Sequence, residues 1–145
     1  MSATLSKQAF DTLVAHAERS RPRECCGLLL GRGDPSAGGH VELTEAVPAG
    51  NLADDPDRFL LDPVDHIRTR REARARGLDV VGFYHSHPHS AARPSARDVA
   101  EALASDAVHL IVSLEARAPV ALAYAFAGGR FVEVPLQVGL AEDPA

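Results

Sequence analysis

At 145 residues, 46% hydrophobic and 24% charged, the chain has the composition of one soluble globular domain, long enough to bury a real core. Its net charge of −5 and lack of any Lys/Arg block argue against a nucleic-acid partner, and no apolar run approaches the roughly 20 residues that span a membrane. With no signal-peptide pattern, the chain is expected in the cytoplasm, where the adjacent Cys25 and Cys26 stay reduced and act as small packing residues.

Ser6 to about Arg19 reads as an amphipathic helix, with Ser6 as N-cap, Phe10, Leu13, Val14 and Ala17 at helical spacing, and Ser20-Arg21-Pro22 as its end. Glu24 to Gly31 is a short apolar run between turn signals, the mark of a buried strand. Arg32 to Gly39, with Gly33, Pro35, Gly38 and Gly39, reads as a turn, and His40 to Val47 as the antiparallel partner strand. Pro48 to Leu61 is a polar loop. Asp62-Pro63 then opens a helix with an N-cap acid and proline at its first position; it runs to Arg76, stops at Gly77 and carries its arginines on a wet face.

Asp79 to His85 is expected to be a buried strand, Ser95 to Ser105 a helix, and Ala107 to Leu114 a further apolar strand. Val120 to Phe126 and Arg130 to Val138 form a hairpin through Gly128-Gly129. The last residues, 139–145, read as a frayed tail after a single domain over 1–138. Helices alternating with strands imply an α/β fold, a mixed sheet covered on both faces.

The chemistry concentrates in Gly82-Phe83-Tyr84-His85-Ser86-His87-Pro88 and the nearby Ser95 and Asp98. In an extended chain His85 and His87 point to one face and can reach one metal ion, whereas Ser86 points to the other face and reads as structural. Asp98, in the first turn of the next helix, can fold back as a third ligand. Three protein ligands leave a fourth position for water, the pattern of a catalytic zinc site. Ser95-x-x-Asp98 is also close to a capping box, with Ser95 as N-cap, an explanation that needs no metal. His89 is a weaker ligand candidate because Pro88 breaks the period. His16, His40, His66 and His109 lack a partner at useful spacing and read as surface or packing residues.

The joint pattern His85-Ser86-His87-Pro88, six residues, then Ser95-x-x-Asp98 resembles the motif of the JAMM (MPN+) metalloproteases. Pro22-Arg23-Glu24-Cys25-Cys26-Gly27-Leu28-Leu29-Leu30-Gly31 resembles the prokaryotic JAMM segment whose Glu is the general base, and residues 51–63 resemble the loop before the second helix of bacterial members. The resemblance runs from about Leu5 to Val138. It implies a three-layer, cytidine-deaminase-like fold and one Zn2+ per chain on His85, His87 and Asp98. It also implies Glu24 as general base and Ser95 as the donor that stabilises the oxyanion.

The chain has no room for the long insertions by which eukaryotic members grip a second ubiquitin. Small bacterial-type members instead resemble hydrolases of ubiquitin-like sulfur-carrier proteins, cutting after a C-terminal Gly-Gly, and such a carrier is the expected partner. Two other classes stay open: a non-catalytic MPN-type scaffold, and a zinc hydrolase of small amides. A deaminase would need a Pro-Cys-x-x-Cys segment, which is absent.

Overall fold

Ser6 begins the first helix as expected. In the computed structural model of the protein, which describes residues 1–101 and 106–139, the Ser6 hydroxyl accepts from Ala9 N at 3.0 Å and α1 runs Lys7–Ser20. Ala9, Leu13, His16 and Ala17 form its buried face. Asp62 caps α2, Pro63–Ala75, by accepting from Val64 N at 2.9 Å, and Gly77 follows in the left-handed conformation. The third helix, α3, is described over Ala96–Glu101; the rest of its expected span, 102–105, lies outside the described residues, as does the expected tail beyond Gly139.

Eight strands form one sheet: β1 Ser2–Leu5, β2 Cys26–Arg32, β3 His40–Ala49, β4 Asp79–His87, β5 Val108–Ser113, β6 Val120–Ala127, β7 Arg130–Val134 and β8 Leu136–Val138. Their spatial order is β7-β6-β5-β4-β2-β3-β1-β8. The β1–β3, β1–β8 and β4–β5 pairs are parallel and the others antiparallel, so the sheet is mixed. Gly128 and Gly129 both take positive φ, 61° and 79°, which the tight β6–β7 turn requires and glycine adopts at no steric cost.

Two departures from the sequence reading concern the ends of the chain. Ser2–Leu5, with only Ala3 and Leu5 turned inward, forms a strand that the short pattern did not announce. Arg130–Val138 is not one strand: Pro135 splits it, β7 pairing with β6 and β8 with β1 at the other edge of the sheet. Proline has no N–H for a ladder, so pairing stops there. Because one residue separates the two edge strands, the sheet must curl until its edges meet.

It curls around α1. Leu13 and Ala17 of α1 share one buried cluster with Leu5, Leu29, Val41, Leu43, Tyr84, Leu110, Val112 and Val134. The outer face carries α2 and α3. Successive β4 side chains show the division: Tyr84 meets His16 of α1, while Phe83 meets His66 of α2. Helix, sheet and helix make three layers. No helix among the described residues is long and apolar enough to cross a membrane.

Candidate metal centre

His85 and His87 lie at the C-terminal end of β4, on the face that Phe83 shares and that Asp98 of α3 reaches. Both are buried, 6% and 3% exposed. Their Nε2 atoms are 3.2 Å apart. Asp98, in the first turn of α3, reaches both rings, Oδ1 to His85 Nε2 at 3.1 Å and Oδ2 to His87 Nε2 at 3.0 Å. Glu24, in the turn between α1 and β2, completes the group: one donor atom from each of the four residues lies within 4.8 Å of the others, and all four are buried.

The donor set fits a metal ion. Bonds of about 2.0–2.1 Å in a tetrahedral site place neighbouring ligand atoms about 3.3 Å apart, close to the 3.2 Å between the two Nε2 atoms and the 3.1 and 3.0 Å from each of them to one oxygen of Asp98. The hydrogen bonding agrees. His87 Nδ1 is 2.8 Å from Ala91 O, and since a carbonyl only accepts, Nδ1 must carry the proton. In the neutral ring Nε2 then presents a lone pair to the Asp98 carboxylate, an opposition that either a proton on Nε2 or a cation between the two removes. Carbonyl contacts of this kind orient metal-binding imidazoles and fix their tautomer.

Electrostatics favour the charged carboxylate. Burial alone would raise the Asp98 pKa, but hydrogen bonds with His85, His87 and Ser95 N overcome it and hold the carboxyl well below its usual range. Burial would likewise depress His87, yet Asp98 and the Ala91 carbonyl raise it above its ordinary value. The thiols of Cys25 and Cys26 are pushed up by burial to about 11 and about 12, so they stay protonated packing groups.

Local contacts hold this arrangement. Ser86, fully buried on the opposite face, accepts from Cys25 N at 2.8 Å while Ser86 N donates to Cys25 O at 3.0 Å, tying β4 to the residue after Glu24. Ser113 Oγ donates to Ser90 O at 2.6 Å and Tyr124 Oη to Ala92 O at 2.6 Å, pinning the segment between β4 and α3. Ser95 stands at the N-cap of α3: its Oγ accepts from Asp98 N at 3.1 Å, and Ser95 N donates to Asp98 Oδ2 at 2.8 Å. This is a reciprocal capping box. The exposed Ser95 also lines an open cleft with Glu24, His87 and Arg97.

The other histidines stay apart from the cluster. His89 is exposed on the rim of that cleft and His16 is buried against Tyr84, its Nδ1 2.7 Å from the phenol oxygen. His40 is exposed, and His66 and His109 pack against Phe83. Sequence reasoning gave no part to Phe59, whose ring stacks on His85 with centroids 4.4 Å apart and planes 20° from parallel. Its signal was that it is the one aromatic residue of the 48–61 loop.

The curled sheet and this cluster define an α/β domain with a buried site suited to one metal ion. The profile of the prokaryotic homologs of the JAB domain matches residues 6–124, most of the chain, and the chain belongs to this metal-dependent family. A desampylase from Haloferax volcanii is 34% identical over 140 residues, 93% of this chain and 95% of that one. A CysO-cysteine peptidase from Mycobacterium tuberculosis is 33% identical over 104 residues, 71% of this chain and 67% of that one. The solution structure of a protein from Desulfitobacterium hafniense matches with a TM-score of 0.86 at 32% identity, over 97% of this chain and 95% of that chain.

Proposed function

We propose that the protein is a zinc-dependent peptidase or isopeptidase that hydrolyses the bond after the C-terminal Gly-Gly of a ubiquitin-like sulfur-carrier protein. The observation that carries the reading is the buried Glu24, His85, His87 and Asp98 group in a chain whose family relatives are named desampylase and CysO-cysteine peptidase. The catalytic unit is the single domain over residues 1–138, and it works in the cytoplasm.

His85, His87 and Asp98 are the residues that would hold the ion. Zinc bound there supplies Lewis-acid polarisation of the scissile carbonyl and acidifies a water. Glu24, within 4.8 Å of the three ligands, takes a proton from the attacking water and returns it to the leaving amine. Glu24 is buried, 9% exposed, yet lines the open cleft from which a substrate would approach. The Ser95 hydroxyl can donate to the oxyanion while its oxygen still accepts from Asp98 N, because a hydroxyl does both.

An open site of this kind offers few pockets for a short peptide. Discrimination then comes from the carrier's globular body and extended tail, whose binding energy orients the scissile carbonyl, so truncation lowers kcat as well as affinity. The test compares a carrier extended beyond Gly-Gly, the same carrier with its last glycine changed to valine, and the isolated tail peptide. Cleavage should follow the second glycine and be fastest for the intact carrier. Equal rates on all three would leave a generic zinc peptidase.

A further inference from the structure

Glu24 lies in a segment without regular secondary structure, between α1 and β2. No helix or strand ladder holds it, yet a general base must be placed to within a fraction of an ångström. Its backbone is fixed from outside, by the 51–61 loop. Glu24 N donates to Pro56 O at 2.9 Å, and Glu24 O accepts from Asn51 Nδ2 at 3.0 Å.

Asn51 is the hub of that loop. The second Nδ2 proton goes to Arg58 O at 3.0 Å, while Oδ1 accepts from Ala53 N and Leu60 N, each at 2.9 Å. Two donors meet two carbonyls and one oxygen meets two N–H groups, so the partners themselves fix the orientation of the amide. The base of the loop is closed by a bridge between Asn51 and Leu61 and by Leu52 N donating to Leu60 O at 2.8 Å. Arg23 adds a grip on the carbonyls of Ala53 and Asp54. The same loop lays Phe59 on His85. One side-chain amide thus sets the loop that clamps Glu24 on one side and backs a metal-site imidazole on the other.

The geometry points to Asn51 as the positioning residue of the general base, acting through the backbone of Glu24; this rests on Glu24 being the base. A bland alternative is that Asn51 only staples a surface loop. The two differ in coupling to Glu24. Asn51→Asp keeps the shape and both acceptor contacts but turns a carboxylate toward the carbonyls of Glu24 and Arg58, breaking only the donor half.

The experiment measures kcat and KM on the extended carrier, metal content and melting temperature for Asn51→Ala, Asn51→Asp, Glu24→Gln and the double variant Asn51→Ala/Glu24→Gln. Both Asn51 variants should lose about 10- to 100-fold in kcat, with KM and metal content unchanged. In the Glu24→Gln background, Asn51→Ala should cost less than about twofold more, because residues acting as a unit are non-additive. A full additional loss in the double variant, an effect confined to KM, or an unchanged kcat would overturn the assignment. Failure of both single Asn51 variants to fold would do so as well, since the role would then be structural. If Glu24→Gln itself keeps near-normal turnover, it is the assignment of the base that fails.

Discussion

Ser95→Ala separates the capping role seen for this hydroxyl from the oxyanion role proposed for it. The substitution removes the Asp98 N–H to Ser95 Oγ bond at 3.1 Å and leaves the Ser95 N to Asp98 Oδ2 bond at 2.8 Å, since that donor is backbone. Losing an N-cap hydroxyl costs about 1 kcal/mol, which for a domain of this size lowers Tm by about 3 °C. Asp98 keeps Ser95 N, His85 and His87 as partners, so metal content should not change. If the hydroxyl also donates to the oxyanion, kcat falls by about 10²–10³, a loss of roughly 3–4 kcal/mol that the cap cannot account for. The assay records Tm by calorimetry, zinc by elemental analysis and kcat on the extended carrier; Ser95→Thr, which keeps a capping hydroxyl, should recover much of both. A variant that melts lower but turns over normally refutes the oxyanion role. So does one whose kcat falls only in proportion to lost metal.

The purified protein should carry about one zinc per chain, and His85→Ala, His87→Ala and Asp98→Ala should each lower its occupancy; full retention in all three would place the site elsewhere. Glu24→Gln should keep the metal and the fold while kcat drops by about 10²–10⁴, and loss of the metal in this variant would make Glu24 a ligand. His16 should make the fold acid-sensitive. Burial, aided by the Arg19 charge, lowers its pKa from 6.5 to about 4, so the unfolded chain takes up the proton first. The stability it contributes is present above pH 6.5 and is lost as pH falls toward 4, by at most about 3 kcal/mol. Denaturant unfolding of wild type and His16→Gln across that range should show a flatter pH dependence in the variant, and identical slopes would reject this source. At Gly27 a Cβ would come within 2.3 Å of the fully buried Tyr84 ring, so Gly27→Ala should cost about 1–3 kcal/mol and, by shifting the residue beside His85, weaken metal retention. Unchanged Tm and zinc content would show that the ring can yield.

Local chemistry determined much of this protein from its sequence. Ser6 and Asp62-Pro63 begin helices because their side chains satisfy the first free N–H groups wherever the helix packs. His85 and His87 share a face because a strand repeats every two residues. Ser95 and Asp98 pair within a single helical turn. Such relations span a few residues and need no partner from elsewhere.

The long-range relations required the fold. Glu24 on its own reads as a surface acid beside a strand, and only a family resemblance singled it out. Antiparallel pairing of β2 with β4, which sets Cys26 against His85, carries it to the candidate metal-binding group. Ser2–Leu5 holds too few inward apolar residues to announce a strand, and becomes one because β3 and β8 offer unpaired edges on either side. Pro135 ends a ladder in any sequence, but that the next three residues join the opposite edge follows from the curl of the sheet around α1. Phe59 and Asn51 look like ordinary loop residues until tertiary contact places one on His85 and the other on the backbone of Glu24. Sequence periodicity records which face a side chain takes; what it meets there depends on residues far along the chain.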